Sequence, residues 1–131
     1  LLASSAASDV YKRQGKYIAP SPIEMKLSEN SNIEQVCVVG TGIPQPIALV
    51  VLSENAKKTV NYKMSIEETL TDVNLTLDKH EVVHNLIVVD DVWTVENKFL
   101  TPSMKIKRKN IEKKYQANYS TWYDQNTIVV L

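Results

Sequence analysis

Several stretches of this chain carry residue types and spacings that could do chemistry. His80-Glu81-Val82-Val83-His84 fits H-E-x-x-H. On a helix that spacing sets two imidazoles over one zinc ion, with the glutamate beside them as a base. Here two valines sit inside the motif, which follows an expected helix end and leads into an expected strand. An extended backbone would not hold both histidines on one metal, and no third ligand follows at a useful spacing. The expectation is two loop histidines and no metal. Cys37 is the chain's single cysteine, set among apolar residues in EQVCVVG, so it reads as buried packing and excludes an internal disulfide framework. Asp90 and Asp91 close a strand and read as a solvated turn. Asn74 and Asn118 match the glycosylation sequon, but nothing in the chain points to secretion.

The remaining candidate is a basic run. Lys105, Lys107, Arg108, Lys109, Lys113 and Lys114 crowd one segment of a chain whose 15 basic and 15 acidic residues otherwise cancel to a formal net charge of +0. Charge alone leaves three readings open: a solvated helical face, a phosphate-binding patch for nucleic acid or anionic lipid, or the setting for one reactive lysine. The run lacks interleaved aromatics and the chain has no net field, which weakens the nucleic-acid version.

The elements that must position these residues follow from periodicity. The 131 residues, 44% of them hydrophobic, suit one domain with a modest core. The longest strictly apolar run, residues 47–52, is far too short to span a bilayer. A short helix is expected after Pro22, ended by the polar residues 28–32. Residues 33–40 and 47–53 read as two strands apolar on both faces, antiparallel across the short Gly42/Pro44/Pro46 turn. Ser65 and Glu68 suggest a capping box at the start of a helix whose Ile66, Leu70, Val73 and Leu77 form one apolar stripe. Residues 85–91 give a third strand. A further helix is expected over residues 105–115, with Ile111 and Tyr115 inward and Arg108 paired to Glu112. Tyr115, Tyr119, Trp122 and Tyr123 are expected to dock the C-terminal segment. The sum is an α+β domain: a small sheet of about three strands with helices packed on it.

Two resemblances add to this. Residues 4–14, SSAASDVYKRQ, look like the in-frame translation of a transposon adapter used to make sequencing libraries. Residues 1–14 are therefore set apart as an artefactual or disordered segment, leaving 15–131 as the domain. Within that domain, GKYIAPSPIE from Gly15, IEQVCVVGTGIPQPIALVVLSE from Ile33 and WTVENKFLTPSMKIKR from Trp93 together resemble the long-chain acyl-CoA synthetases of the adenylate-forming superfamily.

The resemblance implies the small C-terminal lid domain of an AMP-forming ligase, working with an N-terminal adenylation domain that this sequence lacks. A fatty acid and Mg2+-ATP give an acyl-adenylate, and coenzyme A then displaces AMP. ATP, Mg2+ and coenzyme A would be held mostly by the other domain, so the chain alone would be inactive. Lys105 matches the lysine of the first step, in a Gly-Lys-x-x-Arg pattern whose glycine is replaced by Met104 and whose arginine, Arg108, the resemblance places among the cofactor-binding residues. Gly15, Lys16 and Tyr17 match a loop on the opposite lid face that enters the site for thioester formation, and Glu24 matches a glutamate read as structural. The implied setting is cytoplasmic, with peripheral membrane association open to the parent protein and no nucleic-acid partner. The alternative from the charge pattern is a non-catalytic basic module that binds nucleic acid or an anionic membrane surface.

Overall fold

The computed structural model describes residues 11–13, 16–40 and 42–131. Two short strands, β1 (Tyr11–Arg13) and β2 (Lys16–Ile18), pair antiparallel as a separate ribbon. Helix α1 (Pro20–Leu27) opens on Pro20, with Pro22 in its first turn, where a missing N–H costs nothing. It stops at Ser28, whose N–H donates to the Glu24 carbonyl at 2.9 Å.

The main sheet has the order β3-β4-β5-β6, from Ile33–Val39, Ile47–Leu52, Leu86–Val88 and Ile128–Val130. β3 and β4 are antiparallel, as the short connection requires, while β4–β5 and β5–β6 are parallel. Parallel neighbours need crossovers. Helices α2 (Glu54–Lys57) and α3 (Tyr62–Asn74) make the first. Helix α4 (Arg108–Tyr115), a 3-10 turn (Gln116–Asn118) and α5 (Tyr119–Tyr123) lie in the second.

Strand residues alternate between two cores, which explains why the strands read as apolar on both faces. Cys37, Val39, Leu49, Val51, Ile87 and Val129 face α4 and α5, where they meet Trp93, Ile111, Tyr115, Tyr119 and Trp122. Val36, Val38, Ala48, Val50, Leu86 and Val88 face the other way, against Ile23 and Leu27 of α1 and Ile66, Leu70 and Val73 of α3. Each fully buried large apolar side chain contributes about 1.5–3 kcal/mol, so both faces are needed to hold a domain of this size.

The α+β class stands, and the structure adds a fourth strand. β6 has only three residues after a polar turn, too few for an alternation signal. Helix α3 begins at Tyr62, so Ser65 lies inside its first turn and does not cap it. Its hydroxyl instead accepts from Asn30 Nδ2 at 3.0 Å and Asn32 Nδ2 at 3.1 Å, docking the loop that follows α1. Leu77 falls beyond the helix end at Asn74 but still packs on the core edge. Helix α4 starts at Arg108, three residues later than expected, because residues 100–106 fold into a hairpin. Asn74 is not a free sequon: its side chain exchanges two 3.0 Å hydrogen bonds with the backbone of Val83. No helix among the described residues is long and apolar enough to cross a membrane.

Candidate active-site hairpin

The basic run is divided by its backbone. Thr101-Pro102-Ser103-Met104 forms a turn in which the Met104 N–H donates to the Thr101 carbonyl at 2.7 Å. Proline in the second position of such a turn is favoured because its φ is already set. Met104 closes the turn with φ at 68°, in the left-handed region. That region suits glycine, the residue that the resemblance leads one to expect at this position. Lys105 comes next. Its N–H donates to Thr101 Oγ1 at 3.1 Å and its carbonyl accepts from the Thr101 N–H at 2.8 Å. Leu100 and Ile106 then pair across the hairpin, and the Lys107 N–H donates to the Phe99 carbonyl at 2.8 Å.

Leu100 is fully buried and Ile106 packs beside it in the α4–α5 core, so the hairpin is rooted in that layer. Alternation along the strand turns Lys105 and Lys107 away from Ile106, onto the solvent side. Both are exposed, as are Lys109 and Lys113. Among the described residues, no carboxylate lies within ion-pair distance of Lys105. Its ammonium is thus available to an anion approaching the tip, and three donors on a flexible stem suit phosphate or carboxylate oxygens.

Arg108, three residues on, is in a different environment. Its Nη1 and Nη2 both donate to the Glu24 carboxylate, the second at 3.1 Å, and Nη1 also reaches the Val38 carbonyl at 3.1 Å and Cys37 Sγ at 3.3 Å. The two side chains of the pair are only 13% and 12% exposed. Arg108 therefore faces inward, not out beside Lys105. Cys37 is buried, and burial pushes its thiol well above the usual range despite the neighbouring guanidinium.

Of the opposite loop, Gly15 lies outside the described residues, and Lys16 and Tyr17 lie in β2. The next residue, Ile18, is fully buried in the α1–α3 core. The two loops are thus anchored in cores on opposite faces of the sheet.

The histidines of H-E-x-x-H part company. His80 and Glu81 sit in a turn with Asp78, their ligand atoms within 4.8 Å of one another, and His84 is not among them. The His84 ring stacks on Tyr123 at 3.9 Å, and its Nε2 lies 2.9 Å from the Tyr123 carbonyl. Asp91 is not merely solvated. It accepts from the Tyr115 hydroxyl and from Lys114 Nζ, the latter at 2.8 Å, which holds its carboxyl below the usual range. Two residues that the sequence does not advertise organise the hairpin: Thr101, and Asn97, whose Oδ1 accepts from the Thr94 and Phe99 N–H groups. Both stand in turn-forming dipeptides, Asn97-Lys98 and Thr101-Pro102, which is the only signal they give.

Comparison with known proteins bears on this arrangement. Mouse (Mus musculus) long-chain-fatty-acid–CoA ligase 5 is 29% identical over 131 aligned positions, covering 85% of this chain and 19% of the relative. A chloroplastic long-chain-fatty-acid–acyl-carrier-protein ligase, AEE15, from Arabidopsis thaliana is 26% identical, covering 94% of this chain and 18% of the relative. The chain thus spans about a fifth of the length of these curated relatives. The adenylation domain of the carboxylate reductase GR01_22995 from Mycobacterium chelonae superposes with a TM-score of 0.76 at 23% identity, over 91% of this chain and 20% of that one. The A-PCP didomain of carboxylic acid reductase from Segniliparus rugosus, in complex with AMP, gives 0.74 at 24%, over 88% and 17%. The family described as the AMP-binding enzyme C-terminal domain matches residues 8–127, and the chain belongs to it.

Proposed function

We propose that residues 15–131 form the lid of an AMP-forming ligase that joins a long-chain fatty acid to coenzyme A. The observation that carries this reading is the hairpin: an exposed lysine directly after a left-handed turn residue, its backbone tied twice to Thr101. In this reading a larger N-terminal domain binds Mg2+-ATP and the acid. The carboxylate attacks the α-phosphate, pyrophosphate leaves, and the Lys105 ammonium offsets the repulsion between the two anions as they approach. The lid then turns, withdrawing Lys105 and bringing residues 15–17 to the other side of the site. The thiol sulfur of coenzyme A bonds to the acyl carbon and AMP departs. Without the nucleotide-binding domain, the isolated chain is expected to be inactive.

The test grafts residues 15–131 onto a complete N-terminal domain of a long-chain ligase. Lys105→Ala should reduce acid-dependent ATP–pyrophosphate exchange by about a hundredfold or more, while thioester formation from supplied acyl-adenylate stays near the parent. Lys107→Ala is the control. Equal loss of both steps, or no loss, overturns the assignment. The exposed row Lys105, Lys107, Lys109 and Lys113 also favours a second reading, a basic module for nucleic acid or an anionic membrane surface. That reading requires binding that falls steeply with log salt, and a flat titration removes it.

A further inference from the structure

We infer that Glu24 and Arg108 are a positioning pair that fixes the two working loops of the lid to one point of the sheet edge. The inference rests on the lid reading above. Helix α1 follows β2, which holds Lys16 and Tyr17, and it packs through Ile23 and Leu27 on one face of the sheet. Helix α4 begins three residues after Lys105 and packs through Ile111 and Tyr115 on the other face. Glu24 comes from the first layer and Arg108 from the second. They meet beside β3, one of the two edge strands of the sheet.

The strand residue that both of them grip there is Val38. The Val38 N–H donates to Glu24 Oε2 at 2.7 Å, and the Val38 carbonyl accepts from Arg108 Nη1 at 3.1 Å. The pair thus takes the place of a neighbouring strand, satisfying both edge-facing backbone groups of Val38. A bidentate guanidinium–carboxylate contact is planar and directional, and each partner also bonds to the same strand residue. Neither helix can shift along the edge without breaking several charge-assisted hydrogen bonds at once. The spacing from Lys105 to Arg108 would suit a nucleotide contact, but the guanidinium is turned inward onto protein acceptors. Arg108 therefore acts through Lys105 and through α1, and Glu24 shares the task without approaching any substrate.

The consequence separates this role from both a ligand contact and a general contribution to stability. Lys105 serves one step, whereas a fastener common to both loops serves two. In the grafted enzyme, Glu24→Gln and Arg108→Lys should each lower kcat of adenylation and of thioester formation by a similar factor, about tenfold, with KM for ATP unchanged. On the isolated chain, amide hydrogen exchange should rise about tenfold or more at Val38, Ile18 and Lys107 in both variants. Ile87 and Val88, at the sheet centre, should stay within about twofold of the parent.

Loss confined to adenylation, or a raised KM for ATP with Arg108→Lys alone, would make Arg108 a nucleotide contact and overturn the inference. A uniform rise in exchange across the sheet would make the pair a stabiliser only, and would overturn it equally. No effect of Glu24→Gln on either readout does the same. Failure of the lid reading itself looks different, since there Lys105→Ala leaves pyrophosphate exchange intact whatever the pair does.

Discussion

Thr101 holds Lys105 at both ends of its backbone: the Thr101 N–H donates to the Lys105 carbonyl at 2.8 Å, and Thr101 Oγ1 accepts the Lys105 N–H at 3.1 Å. Thr101→Val keeps the shape and the first bond but leaves the Lys105 N–H to water. Because the turn is half exposed, the cost in stability should be only about 1 kcal/mol. The effect on the grafted enzyme should be larger than that suggests, since a loosened tip misplaces the ammonium. Pyrophosphate exchange should fall about tenfold, and Thr101→Ser, which keeps the acceptor, should restore it. A Thr101→Val enzyme that exchanges like the parent would show that the second tie is dispensable.

Met104 adopts φ of 68° with its side chain 63% exposed. A left-handed residue with a Cβ is disfavoured by roughly 1–2 kcal/mol, while glycine enlarges the unfolded ensemble by roughly 0.5–1 kcal/mol. Met104→Gly should therefore be neutral or stabilising by up to about 1 kcal/mol. Met104→Val, β-branched at the same φ, should be clearly destabilising. Urea melts of the three chains check the order. Equal stability of the glycine and valine variants would mean that the turn does not hold this conformation in solution.

Much of this architecture was legible from apolar periodicity. Residues 36–39 and 47–52 are apolar on consecutive positions, the pattern of a short strand covered on both faces. Ile66, Leu70 and Val73 likewise announced their helix. Local signals misled where a polar group had a distant partner. Ser65 looked like a cap because nothing in its neighbourhood reveals that Asn30 and Asn32 will claim its hydroxyl. The inward turn of Arg108 was equally hidden, since its partner Glu24 lies 84 positions earlier in the chain. The hairpin, by contrast, hides inside a stretch that reads as the start of one helix from Lys105 onward. Its turn depends on a methionine at positive φ, which no propensity would place there.

Cys37 sits fully buried with Arg108 Nη1 3.3 Å from its sulfur. The guanidinium favours the thiolate, but burial outweighs it and raises the thiol. A thiol held neutral and shielded from reagent should react with a disulfide probe only through opening of the fold. The native chain at pH 8 should therefore react at least about a thousandfold more slowly than the chain in urea, as expected for a domain of ordinary stability. Rapid labelling of the native chain would mean that the α1–β3–α4 junction opens locally.

Asp91, Tyr115 and Lys114 give the same region a pH dependence whose sign can be worked out. Asp91 accepts from Lys114 and from the Tyr115 hydroxyl, and these bonds, in that order, lower its pKa in the folded chain. The stability it contributes is fully present above the unfolded aspartate value of about 3.9 and is lost as pH falls through the lower folded value. Burial and the Asp91 contact raise Tyr115 in the folded chain. Its contribution is present below the unfolded tyrosine value of about 10 and fades as pH rises beyond it. This cluster should therefore leave stability flat between about pH 5 and pH 9 and erode it outside those limits. Asp91→Asn should cost less than about 1 kcal/mol at pH 7, because Asp91 is half exposed and solvent screens the pair. Thermal melts should show the difference between Asp91→Asn and the parent closing below about pH 4. A difference that persists unchanged at pH 3 would mean that packing, not the carboxylate's charge, is what the substitution removes.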